Sequence, residues 1–277
     1  MVNISVYLSQ SLVPDELTLK DKNVVVVDVL RASSTILTAL VNGAKEVIPA
    51  ESVSVAARIS KGLGNSVLCG ERNGKVIEGF KLGNSPFEYS NEIVKAKSLI
   101  FSTTNGTVAI AKSKFAKTCV LASFLNLSAV VEHLFALNED FTIVCSGKLN
   151  DYCVEDSVYA GLIISKLFEK NTKANYTLFD SGYVCYQLAK NLIYKNAKPD
   201  QHRILNMFKK SEHGKYLISL GFEKDLEYCS QIDTFKNLPA FKNNIVKLQE
   251  SFDSEATEKS KMKRINITNK SGNAKNE

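Results

Sequence analysis

The stretch NVVVVDVLRASST, residues 23–35, decides the fold. Its four consecutive valines are apolar on both faces of a strand, which is typical of a buried central strand in a parallel sheet. The chain becomes polar at Asp28, and a helix is predicted at residues 33–41, with Ser33 or Ser34 as its N-cap. A buried strand that leads directly into a helix indicates an α/β protein.

The same alternation continues on both sides of this stretch. Further strands are predicted at residues 2–8, 46–49, 66–69, 97–102, 118–121 and 141–145, and further helices at 52–61, 106–113, 127–137 and 155–168. After residue 168 the strand signal fades, and residues 182–194 and 202–208 are predicted to be helical. The pattern predicts a three-layer α/β/α fold with a largely parallel or mixed sheet and a more helical C-terminal part.

The chain of 277 residues is long enough for one large domain or two small ones. We expect one domain over residues 1–245, and a division into two subdomains at about 1–150 and 151–245 is left open. Residues 246–277 are polar and lack apolar periodicity, so they are predicted to form a disordered tail.

Charge and hydropathy exclude several classes of protein. Lys and Arg total 35 against 29 acidic residues, and no dense basic run accompanies the net charge of +6, so nucleic acid is not an expected partner. No apolar run approaches the ~20 residues that span a bilayer, so no membrane association is expected. Six cysteines without a CxxC pair, and no signal segment, predict a cytoplasmic protein. A small anionic molecule is the expected partner, and a homo-oligomer is possible.

Ligands of parallel sheets bind beyond the carboxyl ends of the strands, and polar clusters follow several predicted strands here. In the first cluster, an aspartate at a strand end, Asp28, is costly unless a metal ion or hydrogen bonds compensate it. Arg31 and the hydroxyls beside it could form an anion site at the start of the helix. Alternatively, Asp28 and Arg31 only form an ion pair that caps the turn.

Two more clusters follow later strands. Glu71 and Arg72 begin a glycine-rich segment at residues 70–86, which is either a loop close to a ligand or a solvated turn with a charge pair. The small polar residues at 102–107 could bind phosphate oxygens through backbone N–H groups and hydroxyls, or could simply cap a helix.

The remaining clusters lie in the second half of the chain. Lys148 precedes Glu155 and Asp156, two acids that either suit a helix dipole or bind Mg²⁺. His213 stands at a helix start flanked by Ser and Gly, and Asp225, Cys229 and Asp233 follow it.

Several known phosphate-handling motifs are absent. The Gly70–Lys75 spacing does not fit a Walker loop, and Asp151 stands where a cysteine phosphatase would have Arg, six positions after Cys145. Leu30 replaces the second Asp of a DxD motif, and three scattered histidines do not form a zinc cluster.

Five segments in order resemble the 2-phosphosulfolactate phosphatase family. They are VDVLRASST at 27–35, CGERNGKVIEGFKLGNSP at 69–86, STTNGT at 102–107, CSGKLNDYCVEDSVYAG at 145–161 and SEHGKYLISLGFEKDLEYCSQID at 211–233. The resemblance covers roughly residues 1–241. The chain departs from the family pattern at two places. Val108 stands where an Arg commonly follows the STTNGT segment, and Lys148 with the four residues after it also differs.

The resemblance implies an α/β/α enzyme that uses Mg²⁺ to hydrolyse (2R)-2-phospho-3-sulfolactate to 3-sulfolactate and phosphate. This reaction belongs to coenzyme M biosynthesis in methanogens, and the pathway that it serves here is left open. On this basis we expect catalytic roles for five residues: Asp28, Glu71, Glu155, Asp156 and His213. The four carboxylates among them are also the expected metal ligands, and which one activates water is left open. The expected substrate-binding residues are Arg31, Ser34, Arg72, Asn84, Ser85, Thr103, Thr104, Asn105, Gly106 and Lys148.

Two alternatives to this activity remain at this point. The chain could be a non-catalytic relative that binds anions, or a phosphatase for another small phosphorylated acid. Phosphate release with and without Mg²⁺ separates the first, and substrates with and without a sulfonate separate the second.

Overall fold

The computed structural model describes residues 1–170 and 176–251. Its strands and helices alternate through the first half of the chain. In chain order they are β1 (Val2–Tyr7), β2 (Asn23–Val27), α1 (Ala32–Val41), β3 (Glu46–Pro49), α2 (Val53–Lys61), β4 (Ser66–Arg72), β5 (Lys75–Val76), α3 (Asn91–Val94), β6 (Ser98–Ser102), α4 (Gly106–Lys112), β7 (Thr118–Ala122), α5 (Leu127–Leu137) and β8 (Phe141–Cys145).

The second half is mainly helical and ends in a hairpin. Its elements are α6 (Val154–Lys170), β9 (Tyr176–Leu178), α7 (Asp180–Leu192), β10 (Tyr194–Lys195), β11 (Lys198–Pro199), α8 (Gln201–Lys210), α9 (Glu212–Ser219), α10 (Glu223–Cys229), β12 (Pro239–Lys242) and β13 (Ile245–Leu248). No helix among residues 1–170 and 176–251 has the length and apolar character needed to cross a membrane.

One large mixed sheet has the strand order β5-β4-β6-β3-β13-β12-β7-β2-β8-β1-β9. The strands β4, β6 and β3 pair in parallel on one side, and β7, β2, β8, β1 and β9 do so on the other. The antiparallel hairpin β12–β13 joins these two parallel groups. The predicted largely parallel or mixed sheet is therefore confirmed.

Helices cover both faces of the sheet, as the valine run of β2 indicates. Val25 and Val27 belong to a core formed with residues of α5 to α10, whereas Val24 and Val26 belong to a second core formed with α1 and α4. Successive side chains of a strand point to opposite faces, so the two cores lie on opposite sides of the sheet. The three-layer α/β/α fold is confirmed.

The C-terminal hairpin was missing from the sequence prediction, which placed no strand after residue 168. The expected end of the domain at residue 245 falls inside the sheet, because β13 runs to Leu248 between β12 and β3. Residues 252–277, the greater part of the predicted tail, lie outside the described residues, and a division near residue 150 stays a prediction.

The predicted cap of α1 was wrong. The helix begins at Ala32, with Arg31 in the N-cap position, so Ser33 and Ser34 lie within the first turn. Their hydroxyls bind back to the preceding loop: Ser33 Oγ accepts from the Asp28 amide at 3.1 Å, and Ser34 Oγ donates to the Val29 carbonyl at 3.0 Å. The two serines thus fix the turn after β2.

Candidate active site

A cavity of about 210 Å³ opens where residues at the ends of β2, β4, β6 and β8 meet α9. This is the edge at which the sequence predicted a ligand. The lining residues are Asp28, Leu30, Arg31, Glu71, Asn73, Gly74, Asn84, Thr104, Asn105, Lys148, Leu149, His213, Tyr216 and Leu217.

Asp28 is the buried carboxylate at the end of β2. Its Oδ1 accepts a hydrogen bond from the Ala32 amide at 3.1 Å. Burial raises the pKa of Asp28 to about 6; His213 and the Ala32 amide oppose this shift, while Glu71 and Glu155 add to it. A carboxylate with a raised pKa and acidic neighbours is suited to proton transfer or to binding a cation.

Glu71 approaches the cavity from the end of β4. Its Oε1 accepts from the Thr104 amide at 2.8 Å, and its Oε2 accepts from the Gly74 amide at 2.8 Å. These amides hold the carboxyl group in a fixed position beside the cavity. Glu71 also joins the loop after β6 to the turn that connects β4 and β5.

Asp156, at the start of α6, lies behind the cavity and does not line it. Its Oδ1 accepts from the Val29 amide at 3.0 Å, and its Oδ2 accepts from the Gly147 amide at 3.1 Å. The loops after β2 and β8 are therefore tied to one carboxylate. Burial, followed by the charges of Asp28 and Glu155, raises the pKa of Asp156 well above its ordinary value.

Glu155 and His213 form a hydrogen-bonded pair between α6 and α9. His213 Nδ1 lies 2.9 Å from Glu155 Oε1, and Glu155 is buried with no partner for its Oε2 among the described residues. His213 lines the cavity, and with Nδ1 engaged by the carboxylate, Nε2 is the nitrogen left for a ligand. The pair has the composition of a general acid oriented by a carboxylate.

Arg31 lines the cavity and is itself buried. Its Nη1 lies 2.7 Å from Asp225 Oδ2, with both side chains almost fully buried, and its Nη2 donates to the Gly74 carbonyl at 3.1 Å. The Phe222 ring lies 4.2 Å from the guanidinium carbon. The guanidinium is therefore fixed on two sides, and the alternative of an Asp28–Arg31 ion pair is not what the structure contains.

Lys148 brings a second cation to the cavity. Its Nζ lies 2.6 Å from Oε1 of Glu212, a side chain that is 91 % exposed, and 5.5 Å from the centre of the Tyr216 ring. An ion pair with so exposed a partner is weak, so Lys148 can turn towards an anionic ligand at little cost.

Three neutral polar residues among those predicted also line the cavity. Asn105 Oδ1 accepts from the Leu149 amide at 3.1 Å and holds the rim loop, while Thr104 binds Glu71. Asn84 is buried, and its Oδ1 has no partner in the described protein. An amide left without a partner in a lined cavity is positioned to bind a ligand.

Other predicted binding residues lie outside the lining and support it instead. Thr103 and Thr107 exchange hydrogen bonds with each other's amides, and Ser85 Oγ donates to Asp225 Oδ1 at 2.7 Å. Arg72 donates to the Glu71 carbonyl and to Ser102 Oγ. Ser34 binds the Val29 carbonyl, and Gly106 packs against Asp28.

Sequence reasoning did not assign several groups to the site. Asn73, Gly74, Tyr216 and Leu217 complete the wall, and Asp225 fixes Arg31 from outside the cavity. An aspartate in α10, 194 positions away from Arg31, carries no local signal of that contact. The sequence of α9 carries no such signal either, because its apolar side chains Tyr216, Leu217 and Ile218 are consecutive and do not repeat at helical spacing.

The donor set fits a magnesium ion that is held partly by its substrate. Across the described ranges, no three Asp, Glu, His or Cys side chains converge so as to hold a metal ion by themselves. Mg²⁺ commonly uses one or two carboxylates together with phosphate oxygens and water. Asp28 and Glu71 line the cavity and could supply such a pair, while the free Oε2 of Glu155 lies behind them.

Comparison with known proteins shows the family of the chain. The family model described as 2-phosphosulpholactate phosphatase matches residues 7–244. A protein of Caldanaerobacter subterraneus named "Probable 2-phosphosulfolactate phosphatase" is 40 % identical over 84 % of this chain and 93 % of its own length. Proteins with the same name from Thermotoga maritima (40 % identical, covering 83 % and 93 %) and Clostridium tetani (36 % identical, covering 89 % and 100 %) are also similar. The chain belongs to the 2-phosphosulpholactate phosphatase family.

Proposed function

We propose that this phosphoric monoester hydrolase cleaves (2R)-2-phospho-3-sulfolactate to 3-sulfolactate and phosphate, with Mg²⁺ as its cofactor. One observation carries the proposal. Asp28, Glu71, Arg31, Lys148 and His213, which are far apart in the sequence, all line one cavity of about 210 Å³. A cavity of this size suits a small metabolite with several charged oxygens.

The charges around the cavity support the need for a divalent cation. The two lining cations already have carboxylate partners, Arg31 in Asp225 and Lys148 in Glu212, while Asp28 and Glu71 contribute negative charge. A substrate with phosphate, sulfonate and carboxylate groups would add more negative charge. When bound, Mg²⁺ would polarise the phosphoryl oxygens and offset this charge.

The residues of the chain then have separate tasks. Arg31 binds phosphoryl oxygens through its fixed fork, and Lys148 leaves Glu212 to bind the sulfonate or carboxylate. Asp28 and Glu71 would hold the metal ion. Asp156 keeps the loops after β2 and β8 in place.

His213 handles the proton of the leaving group. Its Nε2 proton passes to the ester oxygen as the P–O bond breaks. The proton lost by the attacking water is released to solvent, and His213 takes up a proton from solvent before the next cycle. Glu155, whose Oε1 lies 2.9 Å from Nδ1, orients the ring. The slow uncatalysed hydrolysis of phosphate monoesters makes both charge neutralisation and leaving-group protonation valuable.

We place the reaction in the cytoplasm. All six cysteines are free and buried, and burial raises the thiol pKa of each of them, which fits a protein kept in a reducing compartment.

Phosphate release from (2R)-2-phospho-3-sulfolactate, with and without Mg²⁺, tests the proposal. The matched comparison is 2-phospholactate, which lacks only the sulfonate. We expect Mg²⁺-dependent release and a higher kcat/KM with the sulfonate present. Equal kcat/KM for the two esters would point to another phosphorylated acid, and binding without turnover would point to a non-catalytic relative.

A further inference from the structure

The side chain of Asp225 connects two separate parts of the cavity wall. Its Oδ2 lies 2.7 Å from Nη1 of Arg31, in the turn after β2, and its Oδ1 accepts from Ser85 Oγ at 2.7 Å, in the loop before α3. Asp225 itself is absent from the lining. Both partners of the Arg31–Asp225 pair are almost fully buried.

The loop that contains Ser85 also presents Asn84 to the cavity. The Asn84 carbonyl accepts from Thr35 Oγ1 at 2.9 Å, so the backbone on one side is held by α1 and on the other by Asp225. The Asn84 side chain is 6 % exposed, and its Oδ1 has no protein partner within the described residues. A fixed backbone with an unpartnered buried amide is what a preorganised ligand contact requires.

The start of α10, which also contains Asp225, contacts the guanidinium of Arg31 from a second direction. Phe222, three residues before Asp225, places its ring 4.2 Å from the guanidinium carbon of Arg31. Stacking on the ring and a charged hydrogen bond to the carboxylate restrict the plane and the position of the fork.

Asp225 also determines which carboxylate pairs with Arg31. Arg31 shares the cavity with Asp28 and Glu71, and an arginine without a partner would pair with one of them. With Asp225 outside the cavity as its partner, Arg31 is held in place without pairing with Asp28 or Glu71.

We propose that Asp225, assisted by Phe222, is a positioning residue for substrate recognition that sets the orientation of Arg31 and Asn84. This inference rests on the proposed function, because it assigns Arg31 to the anions of the substrate. It adds α10 to the active site as the element that orders the anion-binding groups.

Asp225→Asn tests the proposal, since it keeps the size of the side chain and removes its charge. The matched control is Glu223→Gln in the same helix, where Glu223 forms an exposed pair with Lys209 at 2.8 Å. The Kd of inorganic phosphate is measured by calorimetry in the presence of Mg²⁺, together with kcat, KM and Tm. We expect Asp225→Asn to weaken phosphate binding about 10- to 100-fold and to raise KM. Glu223→Gln should leave both within about twofold.

A double variant separates positioning from general stability. If Asp225 acts through Arg31, adding Asp225→Asn to Arg31→Lys should weaken phosphate binding much less than it does in the wild type. Additive losses, or a lower Tm with unchanged phosphate binding and KM, would overturn the proposal. If Asp225→Asn does not fold, Phe222→Leu and Ser85→Ala decide it, and unchanged phosphate binding in both would likewise overturn it.

Measuring phosphate binding tests the role of Asp225 separately from the proposed reaction. Should the wild type bind phosphate but leave 2-phosphosulfolactate uncleaved, the proposed function fails, and weaker phosphate binding by Asp225→Asn still supports the positioning role.

Discussion

His213 Nδ1 and Glu155 Oε1 lie 2.9 Å apart, although 58 positions separate the two residues in the sequence. The contact joins α9 to the first turn of α6 and leaves the other ring nitrogen for the cavity. A buried carboxylate with one oxygen on a histidine is a common way to fix the tautomer of a proton donor. The pair therefore allows a direct test of leaving-group protonation.

We expect His213→Gln to lower kcat by about 10²- to 10⁴-fold, because the donor of the leaving-group proton is lost. Glu155→Gln should lower kcat by a smaller factor, since the ring remains but the carboxylate that orients it is lost. His202→Gln, at an exposed position of α8, is the control and should leave kcat unchanged. The proton-transfer role is refuted if a folded His213→Gln protein retains kcat within a few-fold of the wild type.

Asp28→Asn should lower activity in a protein that still folds. The substitution keeps an acceptor for the Ala32 amide but removes the charge, and we expect kcat to fall on the order of 10²-fold or more. Near-normal turnover in a folded Asp28→Asn protein would mean that Asp28 only caps the turn after β2. The assay is phosphate release under saturating substrate and Mg²⁺.

The raised pKa of Asp28 predicts that this residue destabilises the folded protein more at high pH than at low pH. The pKa is about 6 in the folded protein against an ordinary value of 3.8, so the folded state holds this proton more tightly than the unfolded state. The resulting contribution to stability is complete below about pH 4 and is lost as the pH rises to about 6. In metal-free protein, Asp28→Asn should therefore raise Tm more at pH 8 than at pH 4.

Thermal unfolding at the two pH values, with Asp21→Asn as the control at an exposed aspartate, measures this difference. The control should show almost no difference in Tm from the wild type at either pH. If Asp28→Asn gives the same change in Tm at pH 4 and pH 8, Asp28 does not titrate in this range.

The sequence predicted the parallel part of the fold because its strands carry a local signal. The valines at 24–27 are buried on both faces, and the ends of β3, α5 and β8 match the structure as predicted. The hairpin β12–β13 was missed because each of its strands has only four residues, one of them Lys. Its place in the sheet also depends on partners far away in the chain, such as Val120 and Val47.

Prediction of the site succeeded for residues that follow strand ends and failed for those set by tertiary packing. Asp28, Glu71 and Lys148 follow strands whose ends meet at one edge, so their position in the sequence indicated the cavity. Whether Arg31 or Arg72 lines the cavity depends on the hydrogen-bond partners of each guanidinium. The spacing of residues in the sequence does not predict these partners.

The two arginines provide a matched comparison. Arg31→Lys should cost ~1–3 kcal/mol of transition-state stabilisation, because lysine keeps the charge but loses the planar fork. Arg72 binds the Glu71 carbonyl and Ser102 Oγ outside the lining, so Arg72→Lys should change Tm slightly and leave kcat/KM nearly constant. Steady-state kinetics and Tm of both variants check this, and equal losses of kcat/KM would contradict the assignment.

Gly106 is the residue whose small size allows Asp28 to approach α4. A Cβ atom at this position would lie 2.4 Å from Asp28 Oδ2 and 2.5 Å from the Cβ of Ala32, so one of these groups has to move. We expect Gly106→Ala to lower both Tm and kcat, because the displaced carboxylate leaves its position at the cavity. Gly64→Ala is the matched control, since nothing lies within 4 Å of an added Cβ there. A Gly106→Ala protein with reduced Tm but unchanged kcat would show that Asp28 keeps its position while the helix shifts. If kcat is reduced and neither more Mg²⁺ nor more substrate restores it, the close approach of Gly106 and Asp28 is needed for the chemical step.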